Sequence, residues 1–109
     1  MQDPNCIFCK ISQHQSPAAI VYEDDSFMAI KDIRPEAPTH ILVLPKQHVE
    51  KLTDMDPGSA IFGTFFAVSV KIVKLLGVEK ACKFAVNNGK DAGQIVPHAH
   101  IHILSQIAS

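Results

Sequence analysis

Polar and apolar side chains alternate strictly near the C-terminus of this chain, where residues 97–104 read PHAHIHIL. In a β-strand, successive side chains point to opposite faces of the sheet. The pattern therefore predicts a strand with a functional site on one face and a hydrophobic core on the other. The residues on the site face are His98, His100 and His102, and those on the core face are Ala99, Ile101 and Ile103.

Three of the six histidines in the chain lie in this one row, which argues against solvent-facing residues placed by chance. Imidazole has an unperturbed pKa of ~6.5, so near neutrality it serves as a nucleophile, acid or base, and it is also the commonest metal ligand. Alternate residues of a strand are roughly 6.6 Å apart. His100 can therefore share a phosphate group or a metal ion with either neighbour, and the pattern alone leaves both uses open.

Length and charge narrow the class of protein. A chain of 109 residues supports one hydrophobic core, so we expect a single domain spanning residues 1–109. The formal net charge is −1 without a cluster of Lys and Arg, which argues against binding to nucleic acid polymers. The most apolar stretch, residues 60–76, is interrupted by Lys71 and Lys74, which argues against a membrane span. The first residues lack the features of a secretory signal, so we expect a cytoplasmic protein.

Hydrophobic periodicity predicts an α+β fold, in which an antiparallel sheet of about five strands carries one long helix and a short N-terminal helix. The long helix is predicted over residues 57–76, with Asp56 as its N-cap, Pro57 at its first position and Gly77 as its stop signal. The short helix is predicted to end within residues 10–15. The strands are predicted at residues 20–23, 26–31, 40–45, 83–88 and 97–104.

Two apolar residues, Phe66 and Val70, lie outside the apolar stripe of the predicted long helix. A second apolar face on a helix is typical of a protein interface. Phe66 and Val70 are either ordinary exposed apolar residues or part of a homodimer contact on this side of the helix, and with the wide apolar arc we expect the contact.

A C-x-x-C motif, Cys6 to Cys9, opens the chain and has three interpretations. Two thiolates at this spacing form half of a tetrahedral zinc site, for which His40, His48 and His98 are candidate partners. Two unrelated buried thiols would give the same pattern. Redox chemistry would require the pair to lie within a βαβ unit, whereas this pair lies at the start of the chain.

The histidine row and three other segments follow a known family pattern. HAHIHIL matches His-φ-His-φ-His-φ-φ, where φ is an apolar residue. The other segments read CIFCKI, YEDDSFMAIKDIRPEAPTHILVLPKQH and VNNGKDAGQIV. On these residues, from Cys6 to Leu104, the chain resembles the histidine triad (HIT) family of nucleotide-binding hydrolases and transferases, and particularly its Hint-like and bacterial branches.

The resemblance implies an enzyme that acts at the α-phosphorus of a purine nucleoside phosphoramidate or a related conjugate. In the family, the middle histidine attacks phosphorus, and water then hydrolyses the nucleotidyl-imidazole to release a nucleoside monophosphate. On this chain the nucleophile is His100, while His102 contacts the phosphate or donates a proton to the leaving group and His40 joins the polar cluster. A neutral imidazole suits the first step because it is nucleophilic without prior deprotonation. The chemistry itself needs no cofactor.

The resemblance also implies a nucleotide pocket. Asp32 matches the acid that accepts the ribose hydroxyls, and its two oxygens suit the 2′ and 3′ hydroxyl groups. Ile95 stands where many relatives carry Ser or Thr, which removes a hydroxyl donor near the leaving group. The amides on the phosphate are Asn87 and Gln94, and the apolar walls around the base are Phe8, Ile11 and Ile33. For Ile11 and Ile33, packing in the core explains the residue nearly as well.

Zinc-bearing relatives bind the metal with a C-x-x-C pair, a histidine after the central strand and the first histidine of the triad. On this chain these residues are Cys6, Cys9, His48 and His98, a closed Cys2His2 set. Such a zinc ion is structural, because no coordination position remains for water. It would hold Phe8 against the nucleotide pocket.

Three functions are compared below. The first is the hydrolase, with dinucleoside polyphosphates as a further substrate class. The second is a nucleotide-binding or interaction protein, whose catalysis is incidental and whose dimer surface matters. The third makes the histidine row a catalytic zinc centre.

Overall fold

The computed structural model describes residues 2–109, which form a five-stranded sheet and two α-helices. All neighbouring strands are antiparallel, and their order is β1-β2-β3-β5-β4. The predicted α+β fold is confirmed. Within residues 2–109 no helix has the length and apolar character needed to cross a membrane. The strands are β1 (Ile20–Glu23), β2 (Phe27–Lys31), β3 (Thr39–Pro45), β4 (Lys83–Ala85) and β5 (Ile101–Ser105), and the helices are α1 (Ile7–Ser12) and α2 (Ala60–Leu76).

The sheet separates two hydrophobic cores, because side chains alternate along its central strands. The α2 face buries odd-numbered residues of β3 and β5 together with Phe65 and Ile72 of the helix. The α1 face buries the apolar even-numbered residues of β3 together with Phe8 and Ile11 of the helix. His102 is paired with Leu42 across the sheet and so lies on the α1 face. As predicted, Ala99, Ile101 and Ile103 are all buried on the α2 face.

The histidine row is only partly a paired strand, which corrects the predicted start at residue 97. β5 begins at Ile101, so His98 and His100 precede the ladder. In the register that pairs Val43 with Ile101, the residue opposite Ala99 is Pro45, which has no N–H to donate. The Pro45 carbonyl lies 2.7 Å from Nε2 of His98, and the Ala99 amide donates outside the ladder, to the carbonyl of Val49. The alternation of side chains nevertheless continues through residues 98–100.

α2 begins at Ala60 and not at Pro57 as predicted. The Asp56 carboxylate accepts the amide proton of Gly58 at 2.9 Å, and the Ser59 hydroxyl donates to the Asp56 carbonyl at 2.7 Å. These bonds close a turn that competes with the helix, a common role of Asp and Ser side chains. The N-cap residue is therefore Ser59 and not Asp56.

β4 ends at Ala85, before the predicted end at Asn88. The Asn88 side chain accepts the amide proton of Thr53 and donates to the Thr53 hydroxyl, both at 3.0 Å. The chain therefore leaves the sheet after β4 and braces the segment that precedes α2.

Candidate active site

His100 lies just before β5, and the backbone fixes one of its ring nitrogens. Its Nδ1 lies 2.7 Å from the carbonyl oxygen of His98. A carbonyl oxygen only accepts hydrogen bonds, so Nδ1 carries the proton and Nε2 keeps its lone pair. Nε2 makes no hydrogen bond within residues 2–109, and in this part of the chain no polar side-chain atom is both fully buried and unpaired. The lone pair of Nε2 is therefore accessible from solvent, as a nucleophile requires.

The ring of His100 is otherwise well covered, and 7% of the residue is exposed. Phe8 packs edge-on against it, with ring centroids 5.2 Å apart and ring planes at 90°. Burial lowers the pKa of His100, while its hydrogen bond to His98 and the charge of Asp32 oppose this shift. The imidazole is therefore neutral, and so nucleophilic, to a lower pH than a free histidine.

His40 and His102 form a hydrogen-bonded pair, called the imidazole pair below. The amide of Glu36 donates to Nδ1 of His40 at 3.1 Å, so the proton of a neutral His40 is on Nε2. That nitrogen lies 2.9 Å from Nδ1 of His102, which must accept the bond. The proton of His102 is consequently on its Nε2, where it is available to a substrate.

Asp32 lies beside the imidazole pair, with its Oδ2 3.3 Å from Nε2 of His40. Burial lowers the pKa of His102, and the neighbouring imidazoles of His100 and His40 lower it further. The charges of Asp32 and Glu36 oppose these shifts. The site therefore combines a neutral nucleophile with a neutral hydrogen-bond donor.

The ligand atoms of Asp32, His40 and His102 all lie within 4.8 Å of one another, close enough to share a metal ion. The hydrogen bonds argue against this use. The amide of Glu36 occupies the lone pair on Nδ1 of His40, so only the protonated Nε2 faces the cluster. A protonated nitrogen has no lone pair for a metal. The geometry therefore does not favour a catalytic zinc centre in the histidine row.

A second cluster, on the same face of the sheet, brings together the four predicted metal ligands. Their ligand atoms all lie within 4.8 Å of one another. His98 Nδ1 lies 3.3 Å from both Cys6 Sγ and His48 Nδ1, and Cys9 Sγ lies 3.3 Å from His48 Nδ1. Ligands bonded to a tetrahedral zinc ion at about 2.0–2.3 Å are separated by about 3.3–3.8 Å. The cluster therefore has the dimensions and the donor types of a closed zinc site.

The orientation of these donors also suits a metal ion. Nε2 of His98 lies 2.7 Å from the carbonyl of Pro45, so it carries the proton and the Nδ1 lone pair faces the thiols. Backbone amides point at both sulfurs, from Cys9 to Cys6 Sγ and from Asp3 to Cys9 Sγ, each at 3.4 Å. Burial lowers the pKa of His98 to about 4 and raises the pKa of the Cys6 thiol. Burial therefore favours the uncharged forms of His98 and Cys6, and a bound cation would favour the thiolate.

The predicted apolar walls of the nucleotide pocket differ in exposure. Ile11 is 7% exposed and belongs to the core on the α1 face, so packing explains it. Ile33 is 91% exposed, which rules out packing in the core and leaves it available to a ligand. Phe8 is buried against His98 and His100, so it contacts the histidines directly.

The predicted phosphate amides are engaged in the loop before the histidines. Nε2 of Gln94 donates to the carbonyls of Glu50 and Val96 at 2.7 and 3.0 Å, and its Oε1 accepts the amide proton of Gly89 at 2.7 Å. Asn87 donates to a carbonyl of the same loop at 3.3 Å. Both side chains therefore hold the loop in shape, and their contact with phosphate stays a prediction.

Sequence reasoning missed the backbone groups that set the tautomers. These are the amide of Glu36 and the carbonyls of Pro45 and His98. Every residue has such groups, so no residue type could have indicated them; only the register of β3 and the path of the chain before β5 reveal them.

The protein has an α+β fold with an antiparallel sheet, and its site places a solvent-accessible imidazole nitrogen beside a Cys2His2 cluster. These features are those expected of a histidine triad protein. A family model of the HIT domain matches residues 13–108. Protein HitA of Neisseria gonorrhoeae is 42% identical over 101 residues, which cover 92% of this chain and 94% of HitA. The chain belongs to the HIT (histidine triad) family, as its sequence indicated.

Two solved structures extend the comparison. The HIT family hydrolase from Legionella pneumophila Philadelphia 1 matches with a TM-score of 0.89 and 36% identity, covering 94% of each chain. A Zn-bound histidine triad family protein from Mycobacterium smegmatis matches with a TM-score of 0.79 and 33% identity, covering 94% of this chain and 76% of its own. Family membership thus supports a function of the nucleotide hydrolase or transferase type.

Proposed function

We propose that this protein hydrolyses purine nucleoside phosphoramidates, or related nucleotide conjugates such as acyl adenylates and dinucleoside polyphosphates, at the α-phosphate. The observation that carries the proposal is the free lone pair on Nε2 of His100, held in place by the bond from Nδ1 to the His98 carbonyl. The HIT family hydrolase from Legionella pneumophila, which has the same fold, supports the proposal.

The reaction proceeds by two displacements at phosphorus. In the first, Nε2 of His100 forms a bond to the α-phosphorus while the bond from phosphorus to the leaving group breaks, and the leaving group takes up a proton from solvent. In the second, water attacks phosphorus while the bond from phosphorus to Nε2 of His100 breaks, and the proton lost by the water returns to solvent. The Nε2–H group of His102, set by His40, donates to a phosphoryl oxygen on which negative charge develops. Each displacement is easier than a single direct hydrolysis.

The nucleotide is held by the residues that the family resemblance assigns. The Asp32 carboxylate accepts the ribose hydroxyls, and the exposed Ile33 covers the base together with Phe8. Gln94 and Asn87 shape the loop around the phosphate. Ile11 supports this wall from the core.

We further propose a structural zinc ion at Cys6, Cys9, His48 and His98, as the donor types and spacing indicate. When bound, the ion supplies a fixed connection between α1 and the segment before β5. His100 is not among its ligands, so the attacking nitrogen is a separate group. Free thiols at Cys6 and Cys9 fit a reducing compartment, and we place the protein in the cytoplasm.

We also propose a homodimer through the outer side of α2. Phe66 and Val70, about one helical turn apart, are 38% and 43% exposed there. Apolar side chains grouped on one helix side favour a partner that covers them.

Mass spectrometry of a trapped intermediate tests the hydrolase. The protein is mixed with adenosine phosphoramidate and quenched, and we expect a nucleotide adduct on His100. His100→Ala should lose turnover but still bind AMP, whereas His14→Ala, at an exposed histidine paired with Glu23, should keep wild-type turnover. Unchanged turnover in His100→Ala would exclude the nucleophile and favour the alternative of a nucleotide-binding protein with incidental activity.

A further inference from the structure

Asp32, which the proposed function assigns to the ribose, also contacts the imidazole pair. Its Oδ2 lies 3.3 Å from Nε2 of His40, and the same nitrogen lies 2.9 Å from Nδ1 of His102. The single proton on His40 Nε2 therefore faces two acceptors, a carboxylate and an imidazole. The His40 side chain is 1% exposed, so water does not compete for this proton.

The charge of Asp32 favours the tautomers that the site needs. A nearby negative charge stabilises the proton on Nε2 of His40, so His40 stays a donor and Nδ1 of His102 stays an acceptor. The proton of His102 is then held on Nε2. Without the carboxylate, His40 would keep only the amide of Glu36 on Nδ1 and His102 on Nε2, and no charge would favour the proton on Nε2.

We propose that Asp32 is a positioning residue that links recognition of the sugar to protonation of the imidazole pair. The link rests on the proposed function, which takes Asp32 as the ribose acceptor. Oδ1 of Asp32 already accepts the amide proton of Arg34 at 2.8 Å, and Oδ2 faces His40. Each ribose hydroxyl that donates to this carboxylate weakens its attraction for the His40 proton. Sugar binding and protonation of the pair are therefore coupled, and such coupling is reciprocal.

Burial and the four groups that face His102 together set its pKa. The rings of His100 and His40 have centroids 4.9 and 5.2 Å from its own. Asp32 and Glu36, in the loop between β2 and β3, raise its pKa against the effect of the two imidazoles. Asp32→Asn removes one of these charges and keeps an acceptor oxygen and the size of the side chain, so it isolates the effect of the charge.

NMR titration of the ligand-free protein tests the electrostatic half of the proposal. In Asp32→Asn, the titration midpoint of His102 should move to lower pH, because a charge that favours its protonated form is lost. The matched control is Asp25→Asn, at an exposed acid in the turn between β1 and β2, which should leave the midpoint in place. An unchanged His102 midpoint in Asp32→Asn would overturn the proposal. No nucleotide is involved, so this result is independent of the hydrolase.

Two ligands test the link to the sugar. In the wild-type protein, saturating AMP should place the His102 midpoint at lower pH than 2′,3′-dideoxy-AMP does, because only AMP can donate to Asp32. In Asp32→Asn the two ligands should give the same midpoint. Equal midpoints in the wild-type protein would overturn the link. Absence of an adduct on His100 would instead count against the hydrolase and leave the ligand-free titration unaffected.

Discussion

Backbone groups set the protonation of the imidazoles in this site. The carbonyl of His98 accepts a hydrogen bond from Nδ1 of His100, and the amide of Glu36 donates one to Nδ1 of His40. Both groups belong to backbone that flanks the sheet, in the loop before β3 and in the segment before β5. One nitrogen is therefore left as a nucleophile and another, on His102, as a donor.

The pH dependence of catalysis follows from the pKa of His100. Burial lowers this pKa, so the neutral nucleophile persists to lower pH than for a free histidine. We expect the acid limb of kcat/KM for adenosine phosphoramidate to lie below the ~6.5 of an unperturbed histidine, because this parameter reports on the free enzyme. An acid limb at or above this value would contradict the assignment of a buried His100 as the nucleophile.

At the scale of single residues, the sequence predicted well which side chains of the histidine row face the core. The alternation of histidine and aliphatic residues placed Ile101 and Ile103 in the core correctly. It did not reveal which nitrogen of His98 faces the thiols, because the carbonyl of Pro45 fixes that orientation. The metal ligand set came from the family resemblance and not from spacing.

At the scale of elements, α1 joins the two functional clusters. Cys6 caps the helix, and its sulfur accepts the amide proton of Cys9. Phe8, between these cysteines, packs edge-on against His98 and His100 at 5.8 and 5.2 Å between centroids. One helical turn therefore contacts both the proposed metal ligands and the proposed nucleophile.

Replacement of one thiol tests the metal site. Cys9→Ser removes one of four ligands, so we expect a loss of zinc affinity greater than the roughly 10–100-fold caused by losing an outer hydrogen bond. Elemental analysis of the purified proteins measures the bound zinc. Cys82→Ser is the matched control, because Cys82 lies outside the cluster, and it should retain the metal. Zinc retained in Cys9→Ser, or lost in Cys82→Ser, would be incompatible with the proposed ligands.

Alanine substitution should change the free energy of unfolding in opposite directions at two glycines, one within α2 and one at its C-terminal end. Gly77 ends the helix at φ 75°, where an added Cβ meets no atom within 4 Å but the backbone conformation disfavours alanine. Gly77→Ala should lower the free energy of unfolding by about 1 kcal/mol. Gly63 is exposed in the helix interior, also with open space around it, and Gly63→Ala should raise that free energy by about 0.5–1 kcal/mol. Urea denaturation measures both, and equal signs would refute this account.

The start of α2 illustrates what element prediction misses. Asp56 followed by proline is a good helix start by residue type, yet the Asp56 side chain closes a turn with Gly58 instead. Propensity alone cannot decide between two local hydrogen-bonding patterns of similar strength. The end of the helix was predicted correctly, because a residue in the left-handed region strongly favours glycine.

At the scale of the whole molecule, stability should fall on acidification. The folded pKa of His98 is about 4, below its usual 6.5, so between these values the unfolded chain binds more protons. In the metal-free protein the free energy of unfolding should therefore decrease as pH falls from 6.5 to 4, by a total of the order of 3 kcal/mol. Urea denaturation across this range measures it. His98→Gln, which cannot titrate, should show a smaller slope, and a slope equal to that of the wild type would argue against His98 as its source.

Oligomeric state tests the outer side of α2. The chain has a mass of 11.9 kDa, and sedimentation should give twice this value for the wild type and the single value for Val70→Glu. Burying a charge in the dimer contact is unfavourable by more free energy than the apolar contact of Val70 contributes. Ile20→Glu is the matched control and should leave the mass unchanged. Ile20 is 40% exposed and is paired with Ile30, which belongs to the core on the α1 face. A monomeric wild type would dismiss the proposed dimer.

The alternation of residues 98–103 limits how this chain can change in length. Insertion or deletion of one residue there would exchange the two faces, placing imidazoles beneath α2 and aliphatic side chains against the thiols. Neither face could accommodate the other's residues, so folding and chemistry would be lost together. The pairing of β4 with β5 ends at Ala85, so the loop of residues 86–93 has no strand alternation to preserve. Variants with one residue inserted or deleted in that loop should therefore still fold, whereas the same change within the histidine row should prevent folding.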